Sequence, residues 1–228
     1  MENNHTQTQI DEKEDINSRV STKKGLGALF ENIFRKFQTI GFLLFLIPII
    51  LVCVFCLAVS LTPGIMLFEW VSPQLAAQSL FVKSFCYGLS FSFGFLAFIV
   101  TLIFIVPIMN FPIIPFVKPC RGAWFSIEAM PWYYHNALTY LVRYTILDLI
   151  TPSPLNILFF KMMGMKIGKG VMLNTSNISD TCLIIHEDYV TIGGSVYMMA
   201  HYGMKGFLII DKLHIKKGDT VYVNAGED

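Results

Sequence analysis

The sequence predicts a membrane-spanning helical hairpin followed by an all-β domain, and three observations carry that prediction. Hydrophobic residues make up 54% of the chain and charged ones 14%, far below the roughly 25% charged residues of soluble domains. Two long stretches, residues 40–61 and 85–109, contain no charged side chain and are long enough to cross a bilayer. Beyond residue 161 an apolar residue recurs about every six positions, the mark of a parallel β-solenoid in which each short strand stacks on the coil beneath. Ordinary amphipathic strands alternate with period two and do not give repeated Ile-Gly openings. The domains expected are a disordered polar tail (1–24), an amphipathic helix with the two-helix hairpin (25–119), an interfacial helix and linker (120–160), and the β domain (161–228).

The tail has Asp11, Glu12, Glu14 and Asp15 ahead of Arg19, Lys23 and Lys24, and too little apolar surface to fold alone. Asn4 to Thr6 forms a glycosylation triplet of a kind common by chance. In residues 25–37, Leu26, Leu29, Phe30, Ile33, Phe34 and Phe37 fall at helical spacing, with Glu31, Arg35 and Lys36 elsewhere, as in a helix lying on a membrane. Residues 40–61 reach roughly 33 Å at 1.5 Å per residue, against a hydrocarbon core of about 30 Å. This apolar run exceeds the about 7 to 15 residues of a signal peptide's core, so it reads as a span, mildly kinked at Pro48. Residues 62–84, with Pro63, Gly64, Glu69, Pro73 and Lys83, read as an exposed loop. The second span, 85–109, offers Gly88, Ser90, Ser92, Gly94 and Ala97 for close helix approach.

Basic residues fix the expected orientation. Lys23, Lys24, Arg35 and Lys36 precede the first span and Lys118 and Arg121 follow the second, while only Lys83 lies between, which places both termini in the cytoplasm. Pro112, Pro115 and Pro119 make residues 110–119 a non-helical exit. Residues 132–150 read as an interfacial helix, with Trp132, Tyr133 and Tyr134 at the headgroups and Asn136, Thr139 and Arg143 on one polar stripe. A third span is the alternative, disfavoured because Arg143 and Asp148 at mid-bilayer would cost roughly 2.5 to 3.5 kcal/mol each. Pro152 and Pro154 end this helix.

In the six-residue pattern Ile167 goes with Val171 and Leu173 opens the next unit. The count resumes with Val190, then Ile192 with Val196, then Met198; after a second break come Ile215 and Val221 with Ala225. Gly168 and Gly193 occupy second positions, where a turned corner calls for unusual dihedrals. The stretches GMKIGKGV (164–171), DYVTIGGSVYM (188–198) and the Ala200, His201, Tyr202, Gly203 turn resemble the hexapeptide-repeat, left-handed β-helix acyltransferases. The likeness is greatest to the membrane-attached type in the C-terminal regions of poly-amino-acid synthetases, and it covers about a third of the chain. It implies a short left-handed parallel β-helix, a homotrimer, and transfer of an acyl group from coenzyme A to a hydroxyl or amine. His186, where the family usually has isoleucine, puts an imidazole in an inward slot. Asp219 puts a carboxylate in a slot that is normally small and apolar, a costly burial. About three coils fit, near the lower limit for a stable solenoid.

His201 is the candidate catalytic residue. An imidazole with a pKa near 6.5 can take a proton from an attacking hydroxyl and return it to the leaving thiol, and the resemblance puts the general base here, ahead of an interrupting loop (202–211). A surface-loop histidine is the alternative. Lys205 and Lys217, with Gly193 and Gly194, are the candidate acyl-CoA contacts, the lysines for a phosphate. His186 and His214 yield no three-ligand metal set by spacing, and Cys53 and Cys56, inside an apolar span, read as small buried residues. Cys120, beside the membrane, is a candidate for palmitoylation. No phosphate loop, dinucleotide fingerprint or serine elbow is present, and no basic aromatic patch points to nucleic acid. The expectation is an integral membrane acyltransferase with acyl-CoA as donor substrate, no permanently bound cofactor, no metal, and contact with membrane lipid. The rival is a non-enzymatic membrane scaffold with a degenerate β-helix; a transporter ranks third, because neither span carries an ionisable residue.

Overall fold

The computed structural model describes residues 25–124 and 126–222. The expected polar tail and the repeat position of Ala225 lie outside the described residues. Among the described residues two helices are long and apolar enough to cross a membrane, Thr39–Leu75 and Leu80–Asn110, and only 11% and 28% of their most apolar windows are buried inside the chain. Most of that apolar surface therefore faces outward, as lipid-facing helices require and a soluble core helix does not.

Helix α1 (Leu26–Val71) joins the expected surface helix and first span into one element, and its one non-helical residue is Phe37, at φ −111° and ψ 20°. The break falls there and not at Pro48. Helix α1 also runs through Pro63, so the expected loop 62–84 shrinks to a 3-10 turn at Ser72–Leu75 and a few residues beyond. Pro63 and Gly64 do not stop the helix, since proline is tolerated within a span; nearby, Ser60 and Thr62 donate to the Cys56 and Ala58 carbonyls at 2.7 and 2.9 Å. Helix α2 (Leu80–Asn110) starts earlier than expected, capped by Ser79, whose side chain accepts from Val82 N–H. Lys83 does not mark a loop: its Nζ donates to the Ala76 carbonyl at 2.7 Å. The two helices cross at Gly64 and Gly94, where a Cβ on either would lie 3.1 or 3.0 Å from the other's Cα. Of the small residues named on the second span, Gly94 and Ser90 are buried and Gly88 and Ser92 are exposed.

The expected single helix over 132–150 is replaced by helix α3 (Met130–Arg143) and a separate 3-10 turn at Leu147–Ile150. Helix α4 (Pro154–Met162) then begins with proline in its first turn and the Ser153 side chain accepting from Leu155 N–H. The polar stripe of α3 faces the β part and not headgroups: Asn136 bonds Asp180 and Arg143 bonds Asn177. The aromatic cluster is divided. Trp132 turns to the β part, while Tyr133 packs edge-on against Phe42 and Phe45 of α1 and Tyr134 donates to the Met109 carbonyl of α2 at 3.0 Å.

The β part opens with strands β2 (Lys166–Ile167) and β3 (Met172–Leu173); β4 (Ile184–His186) pairs parallel with β2, and β5 (Thr191–Ile192) with β3. A third parallel bridge joins Ile178 and Met198. Successive contacts thus begin at 166, 172, 178 and 184, which is the six-residue period of the sequence. On the next pass β8 (Leu213–Ile215) pairs with β4 and β9 (Thr220–Val221) with β5, again parallel. The repeat positions Val171, Leu173, Val190, Ile192, Val196 and Met198 are buried together with Ile178 and Ile184.

Three expectations about this part change. Gly168 and Gly193 are not among the positive-φ residues; glycine is needed at 168 for space, since a Cβ there would lie 2.6 Å from Asp188 N. Asp219 is exposed, and its carboxylate accepts from Lys216 N–H at 3.1 Å, so no buried charge arises. The loop expected over 202–211 is a β-hairpin, β6 (His201–Met204) with β7 (Phe207–Ile210), and β7 pairs on its other edge with β1 (Cys120–Gly122), just after the second span. His186 does take an inward slot and is buried.

Candidate functional site

The site is built around Asp180, a residue that the repeat count passes over. It sits beyond the Ile178 bridge in the left-handed conformation, φ 56° and ψ 34°, and is fully buried. Helix α3 supplies two donors to Oδ1, Trp132 Nε1–H at 2.6 Å and Asn136 Nδ2–H at 2.7 Å. The neighbouring strand supplies two to Oδ2, Ala200 N–H at 2.7 Å and His201 Nδ1–H at 2.6 Å. Asn136 also accepts the Asp180 N–H at 2.9 Å, so one side chain holds both ends of the residue. Trp132 and Asn136 reach it together because they lie one helical turn apart.

Burial pushes the Asp180 carboxyl up, but its hydrogen bonds from His201, Asn136 and Ala200 outweigh this and hold it below the usual carboxylate range. An ionised carboxylate is an acceptor only. Its bond to His201 therefore places a proton on Nδ1, and in the neutral ring Nε2 is then the proton acceptor. The His201 ring packs edge-on against Trp132, centroids 4.8 Å apart, and its side chain keeps 19% of its exposure. It is thus held rigidly yet reachable. A histidine held by a buried carboxylate at Nδ1, with no hydrogen-bond partner at Nε2 among the described residues, has the parts of an oriented base.

A second buried imidazole lies next to the dyad. His135 is fully buried, with Nδ1 3.1 Å from the Asn110 side chain and Nε2 3.0 Å from Thr181 Oγ1. Thr181 has one hydroxyl proton, given to the Met163 carbonyl at 3.1 Å, so His135 donates from Nε2 and accepts at Nδ1. That proton count requires Asn110 to present its amide NH2, which also satisfies a group otherwise buried without a partner. Burial pushes His135 down to about 4; it is a neutral strut joining the end of α2 to the β part.

Of the residues expected from sequence, only His201 stands at Asp180. Lys205 is exposed in the turn of the β6–β7 hairpin, at φ 51°. Lys217 lies before β9, its Nζ 5.9 Å from the Tyr189 ring centroid and its N–H donating to Glu187 at 2.9 Å. Gly193 and Gly194 follow β5, beside Tyr222 and Asn174. His186 lies between Ile167 and Ile215 in its ladder, with no partner for either ring nitrogen, and burial pushes it down to about 4. Exposed His214 bonds Glu187 at 2.9 Å. An apolar cleft of about 510 Å³ between α1 and α2, around Gly64 and Gly94, shares no residue with the dyad. No protein-family model, curated protein or solved structure matches the chain.

Proposed function

We propose that the chain is a membrane-anchored acyltransferase that moves an acyl group from acyl-CoA to a hydroxyl or amine acceptor, with His201 as general base and Asp180 as its orienting acid. The observation that carries this reading is the 2.6 Å bond from His201 Nδ1 to a fully buried carboxylate. In the reaction the acceptor's O–H or N–H gives its proton to His201 Nε2 as the acceptor atom bonds to the thioester carbonyl carbon. The tetrahedral adduct then expels the thiolate, the C–S bond breaks, and Nε2–H returns the proton to sulfur. Asp180 steadies the imidazolium that exists between the two transfers.

The parallel strands stepping at six-residue intervals support a short left-handed β-helix as the scaffold, and a solenoid of about three coils has the small core that favours a homotrimer. The helical hairpin anchors it with both termini cytoplasmic, where acyl-CoA is available. In this reading Lys205 and Lys217 meet donor phosphate, and Gly193 and Gly194 allow its close approach. The test is product formation by the full chain in nanodiscs, with acetyl-CoA and longer acyl-CoAs against small alcohols and amines, read by mass spectrometry. The intact chain should form acylated product, and His201→Ala should lower turnover by about 10²- to 10⁴-fold at unchanged donor affinity. Unchanged turnover in that variant would refute the assignment.

A further inference from the structure

The seam between α3 and the third parallel bridge has a second end, and a cation is fixed there. Arg143 closes α3 and donates from a guanidinium nitrogen to Asn177 Oδ1 at 2.5 Å. Three tyrosine rings surround it, Tyr140, Tyr144 and Tyr197, with centroids 5.7, 5.2 and 5.5 Å from the guanidinium carbon. Tyr144 and Tyr197 are 75% and 68% exposed, so two of these rings stand out from the surface. Among the described residues no carboxylate lies within ion-pair distance of Arg143; Asp148, nearby in sequence, bonds Ser176 instead. A basic residue in the last turn of a helix complements the helix dipole. That accounts for the charge, but not for a ring of exposed tyrosines around it.

A guanidinium carries five N–H donors in a planar fork, and the Asn177 bond uses one. The rings hold the cation by their faces without neutralising it. Among the described residues Arg143 has no hydrogen-bond acceptor besides Asn177, and the fork matches two oxygens of a phosphate.

We propose that Arg143, with Tyr140, Tyr144 and Tyr197, binds the phosphate group of a ligand that extends along the α3 seam toward His201. Arg143 lies two helical turns beyond Asn136, about 10 Å along the axis, and Asn136 touches Asp180. Tyr197 precedes His201 on the same stretch of chain, at most about 14 Å away. The ligand is thus one whose phosphate sits on the order of 10 Å from the dyad. The same chemistry is offered by a phospholipid headgroup and by a soluble phosphate ester.

The inference rests on the Arg143 geometry and not on acyl transfer, so its test reads binding alone. Titrations of the full chain in a phosphate-free maltoside detergent would use inorganic pyrophosphate in one arm and short-chain phosphatidic acid in the other. Saturable binding in either arm is expected, weakened at least about tenfold by Arg143→Gln, one strong contact's worth, and partly restored by Arg143→Lys. Tyr197→Leu, which leaves the fork in place, should weaken binding less. Binding of pyrophosphate alone assigns a soluble ligand, and of phosphatidic acid alone a lipid; both support the site. It is overturned if the intact chain binds neither probe, or if Arg143→Gln binds both as the intact chain does while unfolding at the same temperature.

Discussion

Replacing His186 with leucine should stabilise the chain, and more so in acid. Its imidazole is buried between Ile167 and Ile215, with neither ring nitrogen hydrogen-bonded. A buried polar group without partners costs about 1 to 3 kcal/mol, and leucine of similar volume removes that cost at any pH. The acid part follows from linkage. Burial lowers His186 from 6.5 to about 4, so between those values the unfolded chain binds a proton that the folded chain refuses. Stability therefore falls as pH drops below about 6.5 and the loss is complete below about 4. At pH 5 it amounts to about 2 kcal/mol, at 1.36 kcal/mol per pH step below 6.5. His135, also lowered to about 4, adds a similar loss in the same window. Asp180 is lowered, so its contribution persists above the ordinary carboxylate pKa and fades only below that window. Denaturant unfolding of the full chain at pH 7.5 and pH 5.0 should show His186→Leu more stable at both, with the difference between the two pH values about halved. A variant less stable at both, or an unchanged difference, would refute the burial argument.

Asp180→Asn should turn an amide NH2 toward one of two donor pairs, either Trp132 and Asn136 or Ala200 and His201. Losing two charge-assisted bonds costs about 3 to 6 kcal/mol, seen as a lower unfolding midpoint. Turnover per folded molecule should drop by about 10⁴, the size of a tautomer error behind a catalytic histidine; activity that falls only in step with folded protein would contradict this. In a cysteine-free background, single cysteines at Ser72 and Lys217 should differ toward an impermeant maleimide in intact cells, with Ser72 labelled and Lys217 protected. Labelling at Lys217 would remove the cytoplasmic supply of acyl-CoA.

The β core was legible because its signal is local. Val171, Leu173, Val190, Ile192, Val196 and Met198 are buried, and spacing alone reveals that. Helix ends differ from the sequence pattern where a single residue looks like a breaker. Pro63 and Gly64 are punctuation in water, yet within α1 they lie at the helix crossing, where Gly64 lets Gly94 approach. The hairpin of β6 and β7 has a local signal in its Lys205–Gly206 turn, both residues at positive φ; what spacing hides is the pairing of β7 with β1, far away in sequence. His201 stands out in the sequence through a family resemblance. Asp180 does not, since its partners lie 21, 44 and 48 positions away and meet only through tertiary packing. The one available signal is Trp132 and Asn136, an indole and an amide one helical turn apart on α3; in an otherwise apolar stretch the same pattern suits a helix at a headgroup layer.

The central claim, that an ionised buried Asp180 presents His201 as a base, is tested most directly by the ring nitrogens of His201. The measurement is a ¹⁵N spectrum of the full chain labelled at histidine, in nanodiscs above pH 8, with the His201 signals assigned by their loss in His201→Ala. The account predicts a proton on Nδ1 and a bare Nε2, as the 2.6 Å bond to Asp180 Oδ2 requires. A proton on Nε2, with Nδ1 bare, would mean that the carboxylate does not orient the ring, and the general-base assignment would fall with it.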